Sequence, residues 1–209
     1  MADIVLVNGS PNAASRLTGI VSHVRRRLEL NGHATDVIQV ADLPLHDLAF
    51  GRSDKPGIRE AVAKVERADA VVFASPVYKA SYTGLLKLFL DVLPQQILAD
   101  KWVAPVFIGG TIAHLLTLEF AFKPVAAALG ARRFAPAVYA VDQQVMRSER
   151  NGEMHYELDK ELKTRLDAMI VELEKELGGE RPCAERGVSR RPRRPDAHRD
   201  AAAYREAVM

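Results

Sequence analysis

A strand that is apolar at consecutive positions has to be covered on both of its faces, and the run Asp69 to Ser75, DAVVFAS, is such a strand. It belongs at the centre of a parallel sheet with helices above and below. The flanking segments repeat one unit. DIVLVN (Asp3 to Asn8) is a short β-branched run, and Arg16 to Leu30 follows with apolar residues at Leu17, Ile20, Val21, Val24 and Leu28, a helical spacing. TDVIQV comes next, then a connection through Pro44 and Pro56 and a helix from about Ile58 to Arg67. Beyond the central strand the pattern predicts a helix from Thr83 to Leu93 and the strand WVAPVFIGG. A helix from Ala113 to Leu129, the strand FAPAVYA and a long helix from Tyr156 to Leu177 complete it. Five such βα repeats imply right-handed crossovers and a doubly wound α/β sheet.

The chain's 209 residues, 48% hydrophobic and 27% charged, suit one globular domain with some length to spare, here placed at residues 1–179. The remainder, 180–209, reads as a basic tail. From Arg181 onward eight Arg stand against four Asp or Glu, so the stated net charge of +2 leaves the body at −2. RRPRRPDAHRD has almost no bulky apolar residue and is predicted to be disordered, without a nucleic-acid role. No apolar run approaches the roughly 18 residues of a membrane span, and the first residues lack the pattern of a signal peptide. A cytoplasmic protein is the expectation. The single cysteine, Cys183, excludes an internal disulfide, and the six histidines show no HxH or HExxH spacing, so no metal site is expected.

Function is expected at the carboxyl ends of the strands, where an open α/β sheet binds its ligands. The first such loop, NGSPNAASRLTG, lacks the GxGxxG that lets a backbone approach a dinucleotide pyrophosphate. It offers Ser10, Ser15, Arg16 and Thr18 at a helix start, a set that suits a phosphate dianion such as that of FMN. The same serines would serve equally as helix caps. In the second loop, SPVYKASYTGLLKLFLD, Pro76 stiffens the turn, Val77 and Tyr78 offer flat apolar surface beside Lys79, and Gly84 allows a close backbone approach. A flavin ring needs that combination. The third loop, IGGTIAH, brings Gly109, Gly110 and Thr111 to a helix start, where amides favour negative charge.

Together GSP…SR.T, SPVYKASYTGLLKLFLDVLP and GGTIAHLL…FKPV resemble the NADPH-dependent FMN reductase family, from about Ile4 to Leu173. The likeness is strongest to members that supply reduced flavin to alkanesulfonate monooxygenases. It implies a flavodoxin-like fold, a five-stranded parallel sheet of order 2-1-3-4-5 with helices on both faces. It also implies NADPH or NADH as donor, and FMN bound loosely enough to leave, once reduced, for a partner monooxygenase. Carried over, Ser10, Ser15, Arg16 and Thr18 match the phosphate loop; Pro76, Val77, Tyr78 and Lys79 match the segment beside the isoalloxazine; Gly109, Gly110 and Thr111 match the segment at its pyrimidine edge. The sulfonate-linked members carry a one-residue insertion in the fourth helix, a π-bulge at the subunit interface with a tyrosine in it. This chain has Phe120 there, as an interface ring near the flavin or as an ordinary core aromatic.

The implied reaction needs stacking and orientation more than a nucleophile or general base, so no residue is assigned a catalytic role. Lys87 reads as well as an ion-pair partner for Asp91 as it does a ligand cation, and His114 as well as a cap. The same fold would also suit a quinone or azo-dye reductase holding FMN tightly, or a flavodoxin-like electron carrier. The helices GLLKLFLDVL and AHLLTLEFAFKPVAAAL are apolar on more faces than one sheet contact requires, which predicts a homodimer or homotetramer.

Overall fold

The computed structural model describes residues 1–178. Along the chain run β1 (Asp3–Asn8), α1 (Arg16–Leu30), β2 (Ala34–Gln39), α2 (Leu45–Ala49), α3 (Pro56–Arg67), β3 (Ala70–Tyr78), β4 (Ser81–Tyr82), α4 (Gly84–Asp91) and β5 (Trp102–Gly109). A π-helical segment (Leu118–Phe122), α5 (Lys123–Ala128), β6 (Arg133–Phe134), β7 (Val138–Val141), β8 (Val145–Arg150), β9 (Glu153–Leu158) and α6 (Lys160–Gly178) follow. The expectation for 180–209 lies outside the described residues.

The sheet runs β2-β1-β3-β5, and β6 and β7 both pair with the outer side of β5. All these pairings are parallel, with Ile4 opposite Ala70 and Ala70 opposite Trp102. Counting β6 and β7 as one interrupted strand, the order is the flavodoxin-like 2-1-3-4-5. The interruption falls at Pro136, and an edge strand is where a proline is tolerated. Alternation divides β3 between two cores. Val71 and Phe73 join a cluster with residues of α3, α4 and α5. Ala70, Val72 and Ala74 join one with residues of α1 and α6. Both faces are covered, as the unbroken apolar run requires.

Three expectations are corrected. The long last helix does not begin at Tyr156, because Tyr156 lies in β9 and α6 starts at Lys160, where the Asp159 carboxylate accepts from the Leu162 amide at 2.6 Å. Before it stands an antiparallel hairpin, β8–β9, turning at Asn151 and Gly152 with φ of 54° and 78°. Asn-Gly between alternating strands is the strongest local signal for such a turn. The connection after β2 holds a short helix, α2. The expected continuous helix from Ala113 to Leu129 is divided into a 3-10 turn (Ile112–His114), the π segment and α5. Pro124, in the first turn of α5, is the physical reason. It has no N–H for the Phe120 carbonyl and its ring would crowd that carbonyl in an ordinary α-turn, whereas a widened turn accommodates both.

Candidate functional site

The carboxyl ends of β1, β3 and β5 lie side by side, and three loops leave them. All five buried polar side chains among the described residues, Asn8, Ser10, Ser75, Thr83 and Thr117, stand at this edge. Buried polar groups require partners: Asn8, Ser10 and Ser75 find theirs within their own loops, while Thr83 and Thr117 connect one loop to another.

In the first loop the Gly9 amide donates to the Ala74 carbonyl at 2.8 Å. A Cβ on Gly9 would stand 2.7 Å from that of Leu86, so only glycine passes between β3 and α4. The Ser10 hydroxyl donates to the Asn12 carbonyl at 3.0 Å and accepts from the Asn12 amide at 3.2 Å. The Thr18 hydroxyl donates to the Ala13 carbonyl at 2.7 Å. Both protons are thereby committed inside the loop, and Thr18 Oγ1 is left to accept from the Ser15 hydroxyl, a long bond at 3.4 Å. Ser15 occupies the N-cap position of α1 but makes no side-chain cap, and the first turn holds no acidic residue. The amides of Arg16 and Leu17 make no hydrogen bond among the described residues. Arg16 Nε donates to the Val145 carbonyl at 3.0 Å, with no carboxylate paired to the guanidinium among them. An uncapped helix start beside an un-neutralised guanidinium favours an anion.

In the second loop Pro76 lies inside β3 opposite Ile108, not in a turn beyond it. The Ala74 carbonyl faces β1, so by alternation the nitrogen of Pro76 faces the same side, past the last paired residue of β1, where no N–H is needed. The strand then folds back through Lys79 and Ala80 into β4, with Tyr78 opposite Ser81. Both turn residues have positive φ, 51° and 60°. Val77 is half-buried, Tyr78 is 55% exposed and Lys79 is exposed. Ser75 Oγ donates to the Pro76 carbonyl at 2.9 Å and accepts from the Thr83 amide at 3.0 Å. Thr83 Oγ1 donates to the Gly9 carbonyl at 2.7 Å while capping the Leu86 amide at 3.1 Å, which ties the second loop to the first. Thr117 Oγ1 donates to the Ala80 carbonyl at 3.0 Å. Around Gly84 nothing among the described residues lies within 4 Å of a Cβ position, so the expected close approach is absent among them.

In the third loop Tyr139 rises from β7 and its hydroxyl donates to the Thr111 carbonyl at 2.9 Å. Its oxygen stands 2.2 Å from where a Cβ of Gly109 would be, and Val77 Cβ stands 3.5 Å from the same point. Gly109 therefore makes room for Tyr139 and brings the second and third loops together. Burial, with the Asp142 carboxylate adding to it, pushes the Tyr139 phenol up from its ordinary value, so the donor keeps its proton. Gly110 and Thr111 are exposed, and Thr111 Oγ1 accepts from the Ala113 amide at 3.3 Å. Elsewhere Lys87 pairs with Asp91, and Phe120, 76% exposed, is not a core aromatic of the chain.

The structure thus gathers Ser10, Ser15, Arg16, Thr18, Pro76, Val77, Tyr78, Lys79, Gly109, Gly110 and Thr111 onto three neighbouring loops. Sequence reasoning missed the hydroxyls beneath them, Ser75, Thr83 and Thr117, together with Tyr139. It also missed Arg147 of β8, whose Nη1 donates to the Ala14 carbonyl at 2.9 Å. Thr83 was within reach as a cap before GLL; Arg147 required the Asn-Gly hairpin.

Residues 2–145 match the NADPH-dependent FMN reductase family. An FMN reductase (NADPH) of Pseudomonas putida is 39% identical over 146 residues, covering 70% of this chain and 74% of that protein. One from Escherichia coli with the same name is 35% identical over 171 residues, covering 80% and 85%. Among solved structures, the apo form of an NADH:FMN oxidoreductase (EMOB) superposes with a TM-score of 0.75 at 30% identity, covering 86% of this chain and 92% of that one. The chain belongs to the NADPH-dependent FMN reductase family, oxidoreductases that work with FMN and a reduced nicotinamide.

Proposed function

We propose that the protein is an NAD(P)H:FMN oxidoreductase that binds FMN at the three-loop edge and releases it reduced to a partner monooxygenase, in the cytoplasm where reduced nicotinamides are held. The observation that carries the reading is the start of α1: free amides, no acidic residue, the Ser15 hydroxyl and an Arg16 guanidinium without a carboxylate. That donor set fits a phosphate monoester. Ser10 and Thr18, whose protons are held by loop carbonyls, shape the cradle around it. Val77 and the exposed Tyr78 supply an apolar surface for a flat ring, and the Gly109 to Thr111 segment supplies backbone groups for a polar ring edge.

When bound, FMN supplies the hydride acceptor for the nicotinamide. The residues of the chain do the binding and orienting: Arg16 and the α1 amides anchor one end, while Gly109 and Tyr139 hold the third loop against Val77. Amides, a hydroxyl and a guanidinium would hold the flavin by hydrogen bonds and charge, which suits a flavin that comes and goes. Purified protein that is colourless, and that oxidises NADPH rapidly only when FMN is added, is the expected result. A yellow protein that reduces quinones without added FMN would assign it to tightly held FMN instead.

The same reading has the chain assemble as a homodimer or homotetramer. Ile112, Leu115, Leu116 and Phe120 are all exposed on the segment that follows β5.

A further inference from the structure

We propose that Thr117 is a positioning residue for the flavin-facing segment: its hydrogen bond to the Ala80 carbonyl holds the Lys79–Ala80 turn in the form that presents Val77 and Tyr78. The inference rests on the assignment of that segment to the flavin.

The turn is not specified by its own residues. A two-residue connection between antiparallel strands with positive φ at both positions calls for Asn-Gly or Gly-Gly, and here it is Lys79 and Ala80, at 51° and 60°. Side chains in the left-handed region are disfavoured, so the turn persists only where its surroundings determine it. The ladder it closes is two residue pairs long, Val77 with Tyr82 and Tyr78 with Ser81. One arm is well anchored, because Tyr82 is buried with its ring 6.1 Å from that of Phe122 and 6.4 Å from that of Phe107. The tip has the Thr117 hydroxyl on the Ala80 carbonyl at 3.0 Å.

Thr117 is itself unusual in its choice of acceptor. A helical threonine ordinarily bonds the carbonyl three or four residues before it. This one is buried and reaches a carbonyl 37 residues away in sequence. It stands immediately before the π segment, with ordinary helical dihedrals of −53° and −36°. The fourth helical region and the flavin-facing turn are joined at the buried arm by the Tyr82–Phe122 ring contact and at the tip by this hydrogen bond.

Thr117→Val keeps the shape of the side chain and removes the donor, Thr117→Ser keeps the donor, and Ala80→Gly removes the penalty of the left-handed conformation. In the protein without flavin, amide exchange at Lys79 to Ser81 should quicken in Thr117→Val and return to the parent rate in Thr117→Ser. The FMN dissociation constant should rise about fivefold in Thr117→Val, the factor equivalent to the lower end of the cost of a left-handed alanine. The turnover number at saturating FMN should stay unchanged. Adding Ala80→Gly to Thr117→Val should recover most of the affinity. An FMN affinity in folded Thr117→Val within about twofold of the parent overturns the proposal, as does a loss in Thr117→Ser equal to that in Thr117→Val. Should the parent bind no FMN, the flavin assignment falls, and the exchange rates still decide whether Thr117 pins the turn.

Discussion

Removing the Arg16 guanidinium separates recognition of the phosphate from recognition of the ring. Charge-assisted hydrogen bonds contribute about 1.5–3 kcal/mol, so Arg16→Ala should weaken FMN at least tenfold and leave riboflavin untouched. Fluorescence titration with both flavins reads this, and an equal effect on the two would exclude a phosphate role. At the third loop, Tyr139→Phe should lower stability by about 1 kcal/mol through loss of the bond to Thr111. The raised Tyr139 phenol gives this a pH signature. A group whose folded pKa is raised contributes stability fully below its unfolded value, near 10 for tyrosine, and loses it as pH rises through the folded value. Denaturant midpoints of parent and Tyr139→Phe should accordingly converge above about pH 10. Gly109→Ala places a methyl against the Tyr139 hydroxyl oxygen and should disturb the same loop.

Among the elements, the π segment carries opposite burdens on its two sides. Phe122 is fully buried at the centre of an aromatic cluster, 5.3 Å from Phe73 and 5.4 Å from Phe107 between ring centroids. Two residues earlier, Phe120 stands in the open. Phe122→Ala should cost about 3–5 kcal/mol by thermal or denaturant unfolding. The hairpin β8–β9 was hidden by a pattern conflict: its second strand, EMHYEL, runs almost directly into the amphipathic α6, and helical spacing read from Tyr156 absorbs it. Its role is to close over α1. Gly19 makes room for Tyr156, whose Cβ stands 2.5 Å and ring Cγ 2.6 Å from where a Cβ would be, and Arg147 reaches the first loop from the same sheet.

For the whole molecule, the exposed Ile112, Leu115, Leu116 and Phe120 let the proposed assembly be tested apart from folding. Phe120→Ala should leave the stability of the isolated chain within about 0.5 kcal/mol of the parent while shifting the oligomer and the retention of FMN. Leu116→Glu should dissociate the assembly outright. Sedimentation velocity with and without FMN measures both, and a parent that sediments as a 23.0 kDa monomer in either condition removes the assembly from the account. No helix among the described residues is long and apolar enough to cross a membrane.

The two-faced sheet and the three loops were legible in the residues themselves, because burial writes its period directly into a strand such as DAVVFAS and because ligand loops follow strand ends; the strand order followed from the family resemblance. The donors on those loops were legible too, as residue types. Which of their protons are available was not. Ser10 and Thr18 look like phosphate ligands in one dimension, yet both hand their protons to carbonyls of their own loop, while Ser15 is held only by a long bond to the Thr18 hydroxyl at 3.4 Å. The left-handed turn at Lys79 and Ala80 violates its local preference and is decided by a threonine 37 residues on. Phe120 and Phe122 are equally apolar in the sequence, and only the path of the π segment sends one outward and the other into the core. Periodicity records how much surface an element buries; hydrogen-bond partners and the direction of a single ring depend on contacts between distant segments, and those exist only once the chain has folded.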